Sequence, residues 1–242
     1  METISSSQPR YLRRVFVWQL PVRAYHWINA AAILVLIATG FVIGNPPALL
    51  SGDDASASYW FGTTRFIHFA AAYVFLFNFA FRIYWGFVGN KYADWKNFIP
   101  TNRQFFHDMW RVIQVDIFMT KKEEETTVGH NRLAGFIYFF TFLAFAIQCL
   151  TGFGLYAAMS DWWFPHLFAW VPPAFGGDFM LRFIHHATMW FFIIFIVIHV
   201  YLVFYHEYLE GRGELSSMGG GWKFIEKKTF DDEQQNSKRR KK

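Results

Sequence analysis

Four long apolar stretches constrain the fold of this chain more than any other feature. They cover about residues 22–44, 64–88, 132–158 and 181–205, and each is long enough to cross a hydrocarbon layer of about 30 Å with some tilt. Only 17% of the 242 residues are charged, whereas roughly a quarter are charged in an average soluble domain. The sequence therefore predicts an all-α membrane protein, a bundle of four transmembrane helices that forms one domain over residues 1–242.

Lysine and arginine lie on one side of the predicted spans. They are frequent before the first span, in the loop 89–131 and in the tail 206–242, whereas the loops 45–63 and 159–180 contain none. Because short positively charged segments of membrane proteins stay in the cytoplasm, both termini are predicted to be cytoplasmic. This asymmetry accounts for the net charge of +5 without a nucleic-acid partner.

The loop 89–131 contains the stretch RQFFHDMWRVIQVDIFM, in which apolar residues recur at helical spacing. Such a pattern favours a helix that lies on the cytoplasmic membrane surface, in contact with lipid. The chain has a single cysteine, Cys149, inside an apolar stretch, so a disulfide framework and a cysteine-rich metal site are excluded. The absence of a C-x-x-C-H motif also excludes covalently attached c-type haem.

Histidines interrupt the most apolar part of the chain, the stretch RFIHHATMWFFIIFIVIHVYLVFYHEY. A helix turns by about 100° and rises by about 1.5 Å per residue, so His199 points within about 40° of His185 and lies about 21 Å from it along the axis. The corresponding offset from His186 is about 140°. His185 and His199 are therefore predicted to share one helix face, which His186 does not.

Histidines of the first two spans lie at matching depths. His68 is near the periplasmic end of its span, as His185 is, whereas His26 lies toward the cytoplasm with His199. Two facing imidazoles at each of two depths are what two haems with two axial ligands each require. One ion bound by all four is excluded by the separation of about 21 Å. Structural hydrogen bonds between helices and a proton relay of a transporter remain alternatives, although the spans lack the acidic residues typical of a relay.

Several long segments resemble one family in the family's order. They include PVRAYHWINAAAILVLIATGFVIGNPP, RFIHFAAAYVFLFNFAFRIYWGFVGN, VGHNRLAGFIYFF, TGFGLYA, HHATMWFFIIFIVIHVY and ELSSMGGGWKF. From about residue 17 to 224, the chain resembles the b-type cytochrome subunit of membrane-bound nickel–iron uptake hydrogenases. The cytochromes of formate dehydrogenase and of thiosulfate or polysulfide reductase share the histidine pattern, so they remain alternatives, as does a haem-free transporter or membrane anchor.

The resemblance implies a bundle that binds two haems b in the bacterial cytoplasmic (inner) membrane. It implies His26, His68, His185 and His199 as the axial ligands of the iron. It also implies two partners, an iron–sulfur small subunit and a nickel–iron large subunit, and electron passage from hydrogen through the haems to quinone. The chain would not activate hydrogen alone, because it lacks the cysteines that such clusters need.

Four arginines are candidates for binding haem propionates, since guanidinium pairs well with carboxylate. Arg65 and Arg182 each lie three residues before a periplasmic-side histidine, and Arg23 lies three residues before His26. Arg82 lies inside the second span toward the cytoplasm. Ordinary anchoring at the membrane interface is the alternative role for these arginines.

Quinone is predicted to bind near the cytoplasmic surface, where electrons leave the second haem. The candidate residues at that level are His130, Asn131, His206 and Glu207. A neutral imidazole can donate a hydrogen bond to a quinone carbonyl and can change protonation near neutral pH. The alternative is that these residues cap helices or meet solvent. Gly40 and Gly152, each in a Thr-Gly pair, are predicted to permit close approach of a helix or a macrocycle.

Overall fold

The computed structural model describes residues 12–47, 59–95, 98–99, 107, 110, 132–211, 213–227 and 230–231. In chain order its elements are β1 (Leu12–Phe16), α1 (Leu20–Gly44), α2 (Trp60–Val88), α3 (Arg132–Ala157), α4 (Trp163–His166), α5 (Val171–Ala174), α6 (Asp178–Glu210), α7 (Glu214–Gly220) and β2 (Trp222–Glu226). Four of these helices, α1, α2, α3 and α6, are long and apolar enough to cross a membrane. The prediction of four spans is confirmed, whereas the predicted surface helix within 89–131 falls almost wholly outside the described residues.

The four long helices pack as two pairs. α1 packs mainly against α2, and α3 packs mainly against α6, while α2 and α3 make fewer contacts. Aromatic rings join the pairs: the Phe145 ring lies 5.1 Å from both the Phe75 and Phe192 ring centroids. Within the first pair, Asn78 Nδ2 donates a 3.0 Å hydrogen bond to the Tyr25 carbonyl. A cleft between the two pairs is the consequence of this arrangement.

α6 is longer than its predicted span of residues 181–205. It has 33 residues, so it measures about 50 Å, well beyond a hydrocarbon layer of about 30 Å. It ends at Gly211, which has a positive φ of 60° and whose amide donates to the Glu207 carbonyl. The first residues of the predicted basic tail are therefore the last turns of this helix.

The two terminal segments pair as a two-stranded antiparallel sheet, with Leu12 opposite Glu226 and Phe16 opposite Trp222. The amides of Val17 and Trp18 both donate to the Gly221 carbonyl, at 2.9 and 3.1 Å. This sheet was not predicted, because its five-residue strands are far apart in sequence and are not joined by a turn. It marks one end of the bundle, called here the sheet end; α4 and α5 mark the opposite, loop end.

Polar side chains tie the sheet end to the helices. Gln19 Oε1 accepts hydrogen bonds from Trp85 Nε1 at 3.2 Å and from the Asn90 amide at 2.9 Å. Asn90 Nδ2 in turn donates to the Val17 carbonyl at 2.9 Å. These bonds connect the start of α1 with the end of α2 and explain why the segment RIYWGFVGN ends in a polar residue.

Substitution of Gly221 by alanine should destabilise the sheet end. Its φ is +86°, and an added Cβ would lie 2.7 Å from both Phe16 Cε2 and the Trp18 carbonyl oxygen. We expect Gly221→Ala to cost about 1–3 kcal/mol of stability, as left-handed backbone does for residues with a side chain. Gly220→Ala is the matched control, since a Cβ there meets nothing within 4 Å. Equal thermal denaturation midpoints for the two variants in detergent would contradict this expectation.

Candidate functional site

His68 of α2 and His185 of α6 face the same cavity near the loop end. The cavity has a volume of about 320 Å³ and lies between the two helix pairs, a size within the usual range for small-molecule sites. Arg65 and Arg182 also line it, as do many apolar side chains. The structure therefore brings together the two histidines and the two arginines that the sequence assigned to one level.

Each of these histidines is hydrogen-bonded to a threonine of the neighbouring helix in its pair. His68 Nδ1 lies 2.9 Å from Thr39 Oγ1 of α1, and His185 Nδ1 lies 2.8 Å from Thr151 Oγ1 of α3. His185 Nε2 is also 3.3 Å from Gln148 Nε2. Sequence analysis missed all three partners. The repeated Thr-Gly pair in the first and third spans was the available signal.

The glycines of the two Thr-Gly pairs, Gly40 and Gly152, lie close to the imidazole rings. A Cβ added at Gly40 would be 3.6 Å from His68 Cε1, and one added at Gly152 would be 3.1 Å from His185 Cε1. The first distance is ordinary van der Waals contact, whereas the second requires the ring to move. A side chain at position 152 would therefore crowd the His185 ring, which explains the glycine there.

His26 of α1 and His199 of α6 form a second pair, nearer the sheet end. Their ring centroids are 6.3 Å apart, with an angle of 52° between the planes. These are the two imidazoles that would hold haem iron at this level. His26 Nδ1 is buried and has no hydrogen-bond partner among the described residues, and the His199 ring stacks on Phe195 at 5.5 Å.

The four arginines differ in their surroundings. Arg65 Nη2 lies 2.9 Å from Met159 Sδ, and Arg182 is exposed at the edge of the cavity. Arg23 Nη1 donates to the Gly219 carbonyl, and its Nε is buried without a partner in the described part of the chain. Both arginines of the loop end thus face the cavity, whereas the sheet end holds Arg23 through a backbone contact.

Arg82 lies in an aromatic environment at the end of α2. It is only 6% exposed, and its Nη2 donates to the Ala93 carbonyl at 3.3 Å. Its guanidinium lies 5.5 Å from the Phe98 ring and 5.7 Å from the Phe142 ring. These contacts place Arg82 among aromatic rings at the end of α2, and none of its contacts within the described residues is to His26 or His199.

The candidate quinone residues are only partly described. His130 and Asn131 lie outside the described residues. His206 is partly buried and its ring lies 5.7 Å from the Tyr205 ring. Glu207 Oε2 accepts a 3.0 Å hydrogen bond from the Leu215 amide, so it caps the start of α7. This capping was the alternative role considered for Glu207.

His186 is exposed and lies beside Gly44, whose added Cβ would be 3.5 Å from His186 Cε1. It lines the cavity of His68 and His185 from a different direction than its neighbour. Across the described ranges, no group of three His, Cys, Asp or Glu side chains converges as ligands for a bare metal ion.

Comparison with known proteins identifies the class. A model of the family described as prokaryotic cytochrome b561 matches residues 17–221, and the chain therefore belongs to this family. The probable Ni/Fe-hydrogenase B-type cytochrome subunit of Azotobacter vinelandii is 36% identical over 215 residues, covering 87% of this chain and 89% of that protein. The corresponding protein of Cupriavidus necator is 36% identical and covers 91% of this chain and 89% of its own length. That of Escherichia coli K12 is 32% identical and covers 86% of this chain and 90% of its own length. The resemblance stated from the motifs is confirmed.

A b-type cytochrome carries haem b, and the described residues fit that group. Imidazoles are axial ligands of haem iron, and its flat macrocycle needs apolar walls that come close. The cleft offers facing histidines, apolar side chains such as Ile33 and Ile37, and glycines that let a ring approach. The buried, unpartnered Nδ1 of His26 is also consistent with a ring oriented for ligation through its other nitrogen.

Substitution of Gly152 should loosen haem more than substitution of Gly40. An alanine at Gly152 pushes against a ring that Thr151 holds, whereas an alanine at Gly40 makes only ordinary contact. We expect purified Gly152→Ala to contain less haem b per protein than Gly40→Ala in a pyridine haemochrome assay. Equal haem content in the two variants would show that the closer approach at Gly152 is not needed.

Proposed function

We propose that this chain is a membrane-anchoring electron-transfer subunit that passes electrons from a nickel–iron hydrogenase through two b-type haems to quinone. The observation that carries the proposal is the pairing of histidines across one cleft at two levels, His68 with His185 and His26 with His199. Each pair takes one histidine from each helix pair. The names of the relatives support the hydrogenase as electron donor.

The protein residues have distinct roles in this proposal. His68 and His185 hold one haem, and His26 and His199 hold the other. Arg65 and Arg182 line the same cavity as His68 and His185, so they can pair with the propionate carboxylates of the haem at that level. When bound, haem iron carries one electron at a time between ferric and ferrous states. The apolar side chains of the cleft exclude water and hold the rings in place.

The orientation follows from charge. Loops 45–63 and 159–180 contain no lysine or arginine, so the loop end faces the periplasm and the sheet end, with both termini, faces the cytoplasm. Electrons from a hydrogenase bound at the periplasmic surface therefore enter at the level of His68 and His185. The iron–sulfur small subunit is the expected electron donor, with the nickel–iron large subunit bound to it, in the bacterial inner membrane.

Quinone reduction belongs at the cytoplasmic surface, where protons are available from the cytoplasm. His130, Asn131, His206 and Glu207 are the polar candidates at this level. His206 lies seven residues after His199 on the continuous helix α6, about 10 Å further along its axis. Its imidazole can donate a hydrogen bond to the quinone carbonyl and deliver a proton. Glu207 Oε2 accepts a hydrogen bond from the Leu215 amide.

Removal of one axial ligand should remove one haem. We expect His68→Ala or His185→Ala to lose the periplasmic-side haem and His26→Ala or His199→Ala to lose the cytoplasmic-side haem, as judged by haem content and redox titration. His186→Ala is the matched control, since it removes a neighbouring imidazole outside the pairs. Two haems retained in His185→Ala and lost in His186→Ala would overturn the assignment, and wild-type protein without haem would overturn the proposed function.

Removal of a quinone-binding imidazole should slow only the electron transfer from haem to quinone. Membranes with His206→Ala or His130→Ala should show slower hydrogen-driven quinone reduction, with normal haem content and normal reduction of an artificial dye by hydrogen. Wild-type rates in both variants would exclude both residues from the quinone site. Wild-type membranes that couple formate, but not hydrogen, to quinone would instead favour the cytochrome of a formate dehydrogenase.

A further inference from the structure

We propose that Thr39 and Thr151 are positioning residues that hold His68 and His185 with the proton on Nδ1 and thereby lower the midpoint potential of the haem between them. This inference rests on the proposed function, because it assumes iron at that level. It concerns two side chains that contact the imidazoles and not the haem iron. Sequence reasoning gave neither threonine a role.

The hydrogen-bond geometry sets the direction of the bond at His68. Thr39 Oγ1 lies 2.7 Å from the Val35 carbonyl, which can only accept, so the single hydroxyl proton is donated there. The Thr39 oxygen must then accept the proton of His68 Nδ1 at 2.9 Å. His68 Nε2 consequently carries the lone pair, as a ligand nitrogen must.

The same geometry recurs at His185, where the ring has a second contact. Thr151 Oγ1 donates to the Ile147 carbonyl at 2.7 Å and so accepts from His185 Nδ1 at 2.8 Å. On the other side of the ring, the Gln148 amide nitrogen lies 3.3 Å from Nε2 and is a donor. The tautomer at His185 therefore rests on the Thr151 contact, and iron bound at Nε2 would take the place of the Gln148 amide there.

The two levels differ in this respect. His26 Nδ1 is buried without a hydrogen-bond partner among the residues that the structure describes, and the His199 ring stacks on Phe195. An acceptor at Nδ1 makes the opposite nitrogen a stronger donor to iron, which stabilises ferric over ferrous haem. The threonines should therefore act on the haem of His68 and His185 and leave the other one unchanged.

Positive charge near this haem raises its midpoint potential, whereas the threonines lower it. Arg65 and Arg182 line the same cavity, and a cation favours the ferrous state because that state carries less positive charge. Substitution of threonine by valine removes the hydroxyl and leaves both arginines in place. The comparison between threonine and valine thus isolates the hydrogen bond from the charges around it.

The test is a redox titration of the full-length protein with Thr39→Val, Thr151→Val and the corresponding serine substitutions. The haem that His68→Ala lacks identifies the relevant midpoint. We expect each valine variant to raise that midpoint, and to weaken haem retention at that level by about 10-fold to 100-fold, with the other midpoint unchanged. The serine variants keep the hydroxyl and should resemble wild type.

Thr141→Val is the matched control, because Thr141 is buried and donates to the Ile137 carbonyl without a hydrogen bond to histidine. Midpoints and visible spectra that stay at wild-type values in both valine variants, or that shift equally in the control, would overturn the inference alone. If a valine variant loses the haem entirely, retention in its serine counterpart supports the inference and loss in both overturns it. Wild-type protein without haem would overturn the proposed function as well.

Discussion

Polar side chains in the hydrocarbon layer must find partners inside the protein, because lipid offers no hydrogen bonds. In the first helix pair Asn78 bonds to the Tyr25 carbonyl, and in the second Thr151 bonds both to its own helix and to His185. These bonds join helices within a pair. The imidazole rings of His68 and His185 line the cavity between the pairs, where the proposed function places a haem.

Contacts at the sheet end fix the helices that carry His26 and His199. Gln19 fixes the start of α1 against the end of α2, and Trp27 Nε1 donates to the Met218 carbonyl of α7 at 3.1 Å. Lys223 of β2, which is buried, forms an ion pair at 2.6 Å with the partly exposed Glu214 of α7. α7 directly follows α6, so these contacts set the starts and ends of the helices that carry His26 and His199. The position of the His26 ring opposite the His199 ring therefore depends on residues that are far from both in the chain.

The sequence was sufficient for features that depend on local pattern. Apolar length predicted the four spans, and the 14-residue spacing of His185 and His199 placed them on one face of what is a single continuous helix. The terminal sheet was missed because its pairing depends on backbone bonds between distant segments. The contacts of Arg82 could not be predicted for a related reason: its depth along α2 follows from the sequence, but its contacts with Phe98 and with Phe142 of α3 depend on tertiary packing.

An electron that crosses the membrane through two haems needs a free-energy difference between them as well as proximity. Under the proposed function, the periplasmic-side haem is bound by histidines that donate to Thr39 and Thr151, and the cytoplasmic-side haem by histidines without such acceptors in the described part of the chain. The first arrangement stabilises the ferric state more than the second. Arg65 and Arg182, which line the cavity of His68 and His185, act against this effect, because a nearby cation favours the ferrous state. Under the proposed function, the hydrogen bonds to Thr39 and Thr151 therefore favour electron flow from the loop end toward the sheet end, where quinone would be reduced.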